Sequence, residues 1–189
     1  NLNDVQNFHF PLIENASKLV LINNAGIVGD INHVGNLDNQ KVIDCYNVNL
    51  IAPVILTNNF ISFYSSVECD KMILNVSSGA GRSPIDGWNV YCSTKSGLDM
   101  FSEVLNEEVK INGSNFRVLS LAPGIIDTDM QGEIRNSEKS RFSNIQKFKD
   151  YKDSGSLVSP LITAKQVLRF IDEDSLGGDV VCSVRDLTE

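Results

Sequence analysis

The amino-acid sequence predicts an α/β protein, built on a doubly wound parallel sheet that carries helices on both faces. Short apolar runs of strand length alternate with longer stretches in which apolar residues recur at helical spacing. Strands that are separated by helices form βαβ units, and these units pair their strands in parallel. The chain has 189 residues, of which 42% are apolar. We therefore expect one domain over residues 1–189.

Four apolar runs are predicted to be the strands of this sheet. Each run is short and almost continuously apolar, which is typical of a strand that helices cover on both faces. The runs comprise residues 19–22, 72–76, 116–121 and 180–182.

Three stretches between these runs are predicted to be helices. In the last one, Thr163 is the expected N-cap and Gln166, three residues later, is its capping-box partner. Val167, Leu168 and Ile171 are expected to form the buried face of that helix. The two earlier helices are indicated by Val42, Cys45, Ala52, Leu56, Phe60 and Phe63, and by Leu98, Phe101, Leu105 and Val109.

Residues 131–160 differ from the rest of the chain. The segment is polar, its apolar periodicity is weak, and it carries six basic residues against four acidic ones. A solvated helical insertion is one explanation of this pattern. Because the segment follows a strand end, where open α/β sheets bind ligands, we predict a substrate lid.

The composition excludes several classes of function. Sixteen basic and 24 acidic residues give a net charge of −8, which would repel a nucleic acid. No apolar run approaches the ~18 residues that span a bilayer, so we expect no membrane segment. The four cysteines include no Cys-x-x-Cys pair and only two histidines are present. We therefore expect no metal site and no disulfide framework, and reduced thiols fit the cytoplasm.

Tyr91 and Lys95 are the first candidates for chemistry. On a helix, positions four residues apart share a face, so the phenol and the ammonium project into the same space. A nearby cation favours the phenolate and lowers the pKa of a tyrosine from its usual ~10. Such a tyrosine can protonate a carbonyl oxygen or deprotonate an alcohol. A surface tyrosine beside an unrelated lysine is the alternative explanation of the pair when it is taken alone.

Three further features favour a functional site around this pair. Ser78 follows the second strand, where a hydroxyl could hydrogen-bond the carbonyl that Tyr91 protonates. Asn49 lies within an apolar helix, so its amide must either tie helix to strand or hold a water against Lys95. Residues 23–26 (Asn-Asn-Ala-Gly) directly follow the first strand, and small residues there let a ligand approach the backbone.

These motifs occur in the order of the short-chain dehydrogenase/reductase family, which the chain resembles over residues 19–130. The family implies a Rossmann-type sheet, no metal, and a nicotinamide cofactor, with NADP expected and NAD as the alternative. The matching motifs are Asn23-Asn24-Ala25-Gly26, Asn49, Ser78, Tyr91-x-x-x-Lys95 and Pro123-Gly124-x-x-x-Thr128.

The same resemblance implies a role for each matching residue. Tyr91 is the general acid/base, Lys95 binds the nicotinamide ribose and lowers the pKa of Tyr91, and Ser78 orients the carbonyl. Asn49 supports a proton-relay water. The implied cofactor-binding residues are Asn24, Ala25, Gly26, Tyr91, Lys95, Pro123, Gly124, Ile126 and Thr128. The implied substrate contacts are Ser78, Trp88, Tyr91 and Gly124.

Within that family the chain is similar to the sepiapterin reductase and benzil reductase branch. The similarity is carried by residues 24–30, 87–95 and 123–131, and by the lid end at 155–160. Substrates of that branch are 1,2-dicarbonyls, either the pterin side-chain diketone or a diaryl diketone. Trp88 is then either a stacking wall for an aromatic substrate or a core residue.

Two features depart from the family pattern. Sepiapterin reductases pair a carboxylate near the C-terminus with the pterin, and here Asp179 and Asp186 both align poorly with that position. The glycine-rich loop that receives the cofactor pyrophosphate has no counterpart, because the chain opens where the family leaves its third strand. We therefore expect the N-terminal strands to be missing from these 189 residues, and we expect this fragment not to bind cofactor.

The sequence thus predicts an NAD(P)H-dependent carbonyl reductase that acts on a small or aromatic 1,2-dicarbonyl. A non-catalytic Rossmann-fold binding or regulatory protein is the alternative, and the missing loop is its motivation. Against it stands the complete set of Ser78, Tyr91 and Lys95. By the resemblance, the partners are a small-molecule carbonyl substrate and further copies of the chain in a homodimer or homotetramer.

Overall fold

A parallel sheet of four strands in the order β1-β2-β3-β4 forms the centre of the computed structural model, which describes residues 1–172 and 179–187. Adjacent strands pair in register, so that Ile22 lies beside Leu74 and Leu74 beside Leu119. All four predicted strands are confirmed to within about two residues at each end. The strands are β1 (Lys18–Asn23), β2 (Asp70–Val76), β3 (Phe116–Ala122) and β4 (Val181–Ser183).

Helices cover both faces of the sheet, as predicted. Successive strand residues point to opposite faces, and on one face Ile73 and Val118 pack against Phe60. On the other face Leu74 packs with Ile171. The helices are α1 (Leu2–Gln6), α2 (Asn39–Tyr46), α3 (Ala52–Tyr64), α4 (Asn89–Ile111), α5 (Asp129–Arg135), α6 (Ile145–Asp153) and α7 (Pro160–Asp172). Phe60 belongs to α3 and Ile171 to α7, so each face of the sheet is covered by at least one helix.

A π-helical turn at Asn47–Ile51 joins α2 to α3, in a stretch that the sequence predicts as one helix. Pro53 has no N–H to donate to the carbonyl of Asn49, so the regular bond to the fourth preceding residue is lost there. The N–H of Ala52 instead donates to the carbonyl of Asn47, five residues back. The wider turn carries Asn49, whose side chain is fully buried.

The structure of α7 corrects two predictions. The helix begins at Pro160, and the N–H of Thr163 donates to the Ser159 carbonyl at 3.1 Å, so Thr163 is not the N-cap. Proline is favoured in the first turn of a helix because its missing N–H has no partner there. Leu168 is also not in the buried face, since 54% of it is exposed. Leu168 is one position after Val167, so its side chain points about 100° away from that of Val167 around the helix. Ile171 is four positions after Val167, lies on the same side of the helix as Val167, and is buried.

A row of polar side chains crosses the sheet beneath α4. Asn23, Asn75 and Ser120 are neighbours in the strand register, and all three are buried. Nδ2 of Asn23 donates to Oδ1 of Asn75 at 2.8 Å, and Nδ2 of Asn75 donates to Oγ of Ser102 at 2.8 Å. Oγ of Ser120 donates to Oδ1 of Asp99 at 2.6 Å. Because buried polar groups need partners, these bonds fix α4 in one position on the sheet.

Residues 131–160 form a packed unit that follows β3. Ile134, Phe142 and Ile145 are buried in one cluster with Trp88 and Tyr91. The weak periodicity of the sequence hid this cluster, because its apolar residues are divided between two short helices and the turn between them. None of the helices within the described ranges combines the length and the apolar character that crossing a membrane requires.

Candidate active site

The carboxyl ends of the three long strands meet at one edge of the sheet. The N–H of Ser77, just after β2, donates to the Leu121 carbonyl in β3 at 2.9 Å, which holds the two strand ends level. Residues 24–26 follow β1, Ser78 follows β2, and residues 123–128 follow β3. Ligands of open α/β sheets bind at this edge.

Tyr91 and Lys95 extend from α4 toward this edge and are almost entirely buried, with 7% and 4% exposed. Nζ of Lys95 donates to the Val76 carbonyl at 2.8 Å, at the end of β2. The same nitrogen lies 5.8 Å from the centroid of the Tyr91 ring. The ammonium is therefore beside the phenol ring and is anchored to the strand end.

Ser78 lies within hydrogen-bonding reach of the Tyr91 phenol, close enough for its hydroxyl to lower the pKa of that phenol. Oγ of Ser78 also accepts the N–H of Ala80 at 3.2 Å, as the N-cap of a short 3₁₀ turn at Gly79–Gly81. The structure thus brings Ser78, Tyr91 and Lys95 together, and the serine and the tyrosine offer adjacent hydroxyl groups.

Burial dominates the protonation equilibria of this cluster. Desolvation raises the pKa of Tyr91, the nearby Ser78 hydroxyl opposes that rise, and the nearby thiols of Cys45 and Cys92 add to it. Desolvation also lowers the pKa of Lys95 from 10.5 to about 8, against the opposing effects of Cys45 and Asp99. The pKa of Tyr91 is therefore raised on balance, and the lowering effect expected of Lys95 stays a prediction. The Lys95 ammonium is bonded to the Val76 carbonyl, and the cost of burying a phenolate outweighs its attraction.

Asn49 ties the π-helical turn to the loop after β1. Its Oδ1 accepts the N–H of Ile27 at 2.9 Å, and its Nδ2 donates to the Ile27 carbonyl at 2.8 Å. Nδ2 also contacts Oγ1 of Thr94 at 3.2 Å. A Cβ on Gly26 would lie 3.6 Å from Oδ1 of Asn49 and 3.5 Å from Nζ of Lys95. The Asn49 amide thus ties the π-helical turn to the loop after β1, which is close to the first alternative that the sequence left open, a tie between helix and strand. Gly26 lies close to the side chains of Asn49 and Lys95.

The chemistry of the donor set suits the nicotinamide end of a dinucleotide. Lys95 has three ammonium protons and one hydrogen bond to Val76, so donors remain for ribose hydroxyls. Gly124 has a φ of +85° and open space where a Cβ would be, so a planar ring can approach its backbone. Thr128 is exposed, and its hydroxyl makes no capping bond to α5.

The remaining predicted cofactor residues lie on the loops beside these groups. Asn24 and Ala25 are exposed after β1. Ile126 pairs with Val158 in an isolated parallel bridge, which ties the loop after β3 to the end of the 131–160 segment. Pro123 begins that loop and is half-buried.

A comparison of the sequence with known protein families decides the classification. The family described as short chain dehydrogenase matches residues 5–139, a stretch that contains Asn49, Ser78, Tyr91 and Lys95. The chain belongs to the short-chain dehydrogenase family. These proteins are oxidoreductases that act on small molecules with a nicotinamide cofactor.

Individual relatives of this short-chain dehydrogenase confirm the predicted branch. Benzil reductase ((S)-benzoin forming) of Bacillus cereus is 36% identical over 169 residues, covering 89% of this chain and 68% of that protein. Sepiapterin reductase of Xenopus tropicalis is 35% identical over 164 residues, covering 85% and 60% respectively. The crystal structure of the KRED1-Pglu enzyme superposes with a TM-score of 0.74 at 26% identity, covering 86% and 67%. The chain therefore spans 60–68% of the length of these three proteins.

Trp88 of this short-chain dehydrogenase is a core residue in the structure. It is 6% exposed and stacks on Phe142 with ring centroids 5.3 Å apart. It also meets the Tyr91 ring edge-on at 5.5 Å, and its Nε1 is buried with no partner in the described part of the chain. The indole thus supports the Tyr91 ring, and it does so from within the cluster that joins α4 to residues 131–160.

Asp99 is a member of the site that the sequence analysis missed. It follows Lys95 by one helical turn, is 6% exposed, and acts electrostatically to raise the pKa of that lysine. A Cβ on Gly81 would lie 2.8 Å from Oδ2 of Asp99 and 2.9 Å from the Lys95 backbone, so the turn that carries Ser78 fits closely against α4. The i, i+4 spacing of Tyr91, Lys95 and Asp99 is the signal that could have identified it.

Proposed function

We propose that this chain is part of an NAD(P)H-dependent carbonyl reductase that reduces one carbonyl of a small or aromatic 1,2-dicarbonyl. One observation carries the proposal: the Ser78 hydroxyl lies within reach of the Tyr91 phenol, beside the Lys95 ammonium. Two adjacent hydroxyl donors can both bond one carbonyl oxygen, whose negative charge grows during reduction. The aldehyde and simple ketone classes satisfy the same geometry, and the names of the relatives favour the dicarbonyl.

In this proposal Tyr91 is the general acid, Ser78 orients the carbonyl, and Lys95 stabilises the phenolate. The bound nicotinamide supplies the hydride, and Lys95, Gly26, Gly124 and Thr128 would hold it. Burial raises the pKa of Tyr91, so the phenol keeps its proton at neutral pH until the carbonyl oxygen takes it. The neighbouring ammonium then lies beside the new phenolate, in a site of low dielectric where that attraction is strong.

The substrate class is supported by the surroundings of Tyr91. The Tyr91 ring is bounded by Trp88, Phe142 and further apolar residues of the same cluster, which suits an apolar or aromatic substituent on the carbonyl. Asp179 is exposed in the structure, and it aligns poorly with the carboxylate that sepiapterin reductases use. We therefore favour a diketone over a pterin.

Several finer features belong to the same proposal. NADP rather than NAD as cofactor follows from the family that the chain resembles, a location in the cytoplasm from its unpaired cysteines, and a substrate lid at residues 131–160 from their place after a strand end. A homodimer or homotetramer is supported by apolar side chains exposed on the outer helices. Of these, Met100 and Val104 lie one turn apart on α4, with 58% and 49% exposed.

The decisive experiment replaces the phenol oxygen in the natural full-length protein. A Tyr91→Phe variant should bind NADPH as the wild type does but lose roughly 10²- to 10⁴-fold in kcat with benzil, because the general acid is gone. Tyr46→Phe is the matched control, since that phenol bonds Ser93 at 2.7 Å outside the cluster. Unchanged kcat in Tyr91→Phe would defeat the assignment. A wild type that fails to bind NADPH in a fluorescence titration would favour the non-catalytic alternative.

A further inference from the structure

Helix α6 lies across the cluster that contains Tyr91, and its N-terminal end is held by one carboxylate. Oδ2 of Asp86 accepts the N–H of Ser143 at 2.9 Å, and Oδ1 accepts the Ser143 hydroxyl at 2.8 Å. Nδ2 of Asn144 donates to the same Oδ1 at 3.4 Å. These bonds lower the pKa of Asp86, so the carboxyl is ionised at neutral pH. A negative charge at this position also suits the N-terminus of a helix.

The segment around Asp86 is itself fixed to the loop that follows β1. Nε2 of His33 lies 3.7 Å from Oδ2 of Asp86, and the N–H of Asn32 donates to the Gly87 carbonyl at 3.0 Å. Gly87 has a φ of +74°, and a Cβ there would run into the Arg141 carbonyl oxygen. The chain just before α4 is therefore held from two sides, with no room for a side chain at Gly87.

The C-terminal end of α6 is held by a second carboxylate. Nζ of Lys152 donates to Oδ2 of Asp127 at 2.7 Å. The N–H of Asp127 also donates to the Val158 carbonyl at 2.9 Å, and the N–H of Val158 donates to the Ile125 carbonyl at 2.9 Å. Asp127 lies in the loop after β3, directly before Thr128. The two ends of α6 are thus tied to the two loops that flank the candidate active site.

Between these two anchors, α6 presents an aromatic side chain to the cluster. Phe148 lies 5.3 Å from the ring of Trp88, and Trp88 lies edge-on to Tyr91 at 5.5 Å. A shift of α6 would be transmitted through the indole to the phenol, because aromatic rings in a packed cluster have no free space to move into.

We propose that Asp86 and Asp127 are positioning residues, which anchor the two ends of α6 and thereby hold Trp88 against Tyr91 in the geometry that receives the carbonyl substrate. The expected effect on KM rests on the proposed reduction. The expected effect on the accessibility of Trp88 rests only on the packing of that residue. The anchors act through α6 and touch neither substrate nor cofactor.

The test compares Asp86→Ala and Asp127→Ala with Asp150→Ala in the natural full-length protein. Asp150 is the matched control, since its carboxylate accepts a hydrogen bond from Gln146 within α6 and contacts neither flanking loop. We expect Asp86→Ala, which loses three hydrogen bonds, to raise the KM for benzil roughly tenfold, and Asp127→Ala, which loses one exposed ion pair, to raise it about two- to fivefold. The kcat should fall as well, because the displaced phenol is the proposed general acid, whereas the Kd of NADPH should stay close to that of the wild type. Asp86→Asn keeps one acceptor oxygen and should fall between Asp86→Ala and the wild type.

A second measurement is independent of turnover. In a form whose only tryptophan is Trp88, acrylamide quenching of its fluorescence should be about twice as efficient in the anchor variants, because the buried indole becomes accessible. If quenching and KM in both anchor variants equal those of Asp150→Ala, the inference is overturned. It is equally overturned if Asp150→Ala shows the same loss. A wild type that does not reduce any dicarbonyl refutes the proposed function, while the quenching series still decides whether the carboxylates anchor α6.

Discussion

Burial shifts the pKa values of Tyr91 and Lys95 more than neighbouring charges do. Lys95 is 4% exposed, and desolvation lowers its pKa to about 8, whereas an exposed lysine keeps a pKa near 10.5. The spacing of Tyr91 and Lys95 predicts that they share a helix face, and the structure agrees. The direction of the Tyr91 pKa shift could not be read from spacing, because it depends on how completely the fold removes water from the phenol.

The pH dependence of reduction should follow Lys95. Its charged form predominates below pH 8 and is lost as the pH rises through the pKa of about 8. The phenolate formed during reduction then loses its neighbouring cation, so kcat/KM should fall in that range. Lys95→Arg keeps its charge at every accessible pH.

In that variant the fall should move to higher pH, even if the absolute rate is reduced by the altered shape of the side chain. Initial rates from pH 6 to pH 10 measure both profiles. A wild-type profile that is flat across pH 8, or that keeps its midpoint in Lys95→Arg, contradicts the role given to this ammonium.

At the scale of single elements, two short irregular pieces position the site. One is the π-helical turn that buries Asn49, and the other is the 3₁₀ turn at Gly79–Gly81 that carries Ser78. Apolar spacing predicts helices and strands well because the apolar pattern of each element repeats several times along the chain. It does not predict where a helix widens or where a loop packs closely on a helix. The helix widens because Pro53 lacks one N–H, and the loop packs closely because Gly81 lacks a side chain.

Adding one methyl group at Gly81 should misplace Ser78. A Cβ at this position would lie 2.8 Å from Oδ2 of Asp99 and 2.9 Å from the Lys95 backbone, so the 3₁₀ turn must move away from α4. We expect Gly81→Ala to lower kcat by about 10²-fold, since a displacement of ~1 Å can cost that much. Gly79→Ala is the control, because a Cβ there meets no atom within 4 Å. Equal kcat in the two variants would show that this contact does not position Ser78.

The Asn49 amide should contribute to stability as well as to the site. Removing it leaves the N–H and the carbonyl of Ile27 without the partners that they have at 2.9 and 2.8 Å. Both bonds are only part-buried, and the Ile27 carbonyl keeps a contact with the Cys45 thiol at 3.7 Å, so Asn49→Ala should lower the free energy of unfolding by about 1–3 kcal/mol. Urea denaturation monitored by circular dichroism measures this loss.

Asn47→Ala is the matched control for Asn49→Ala. It removes an amide from the same π-helical turn, and the Asn47 side chain makes no hydrogen bond within the described ranges. We expect it to leave the free energy of unfolding close to that of the wild type. A similar loss in both variants would mean that the turn, and not the bond to Ile27, is what stabilises this region.

At the scale of the whole molecule, the parallel pairing of the strands and the placement of the site at their carboxyl ends were both predictable from the alternation of elements. Buried polar contacts were not. The row formed by Asn23, Asn75 and Ser120 depends on strand register, which determines that three distant residues become neighbours. The packing of Phe142 on Trp88 depends likewise on how residues 131–160 return to α4.

We expect the exposed surface of α4 to contribute to contacts between copies of the protein. Met100 and Val104 are 58% and 49% exposed, and together they offer an apolar patch that water solvates poorly. If the proposed dimer or tetramer uses this patch, a Met100→Glu/Val104→Glu double variant should shift the full-length protein toward monomer, because charges in an interface core are strongly disfavoured. Size-exclusion chromatography with light scattering measures the change. Val34→Glu, at a site that is 76% exposed in a loop, should leave the assembly intact. An unaltered mass in the double variant would place the subunit interface on another surface of the protein.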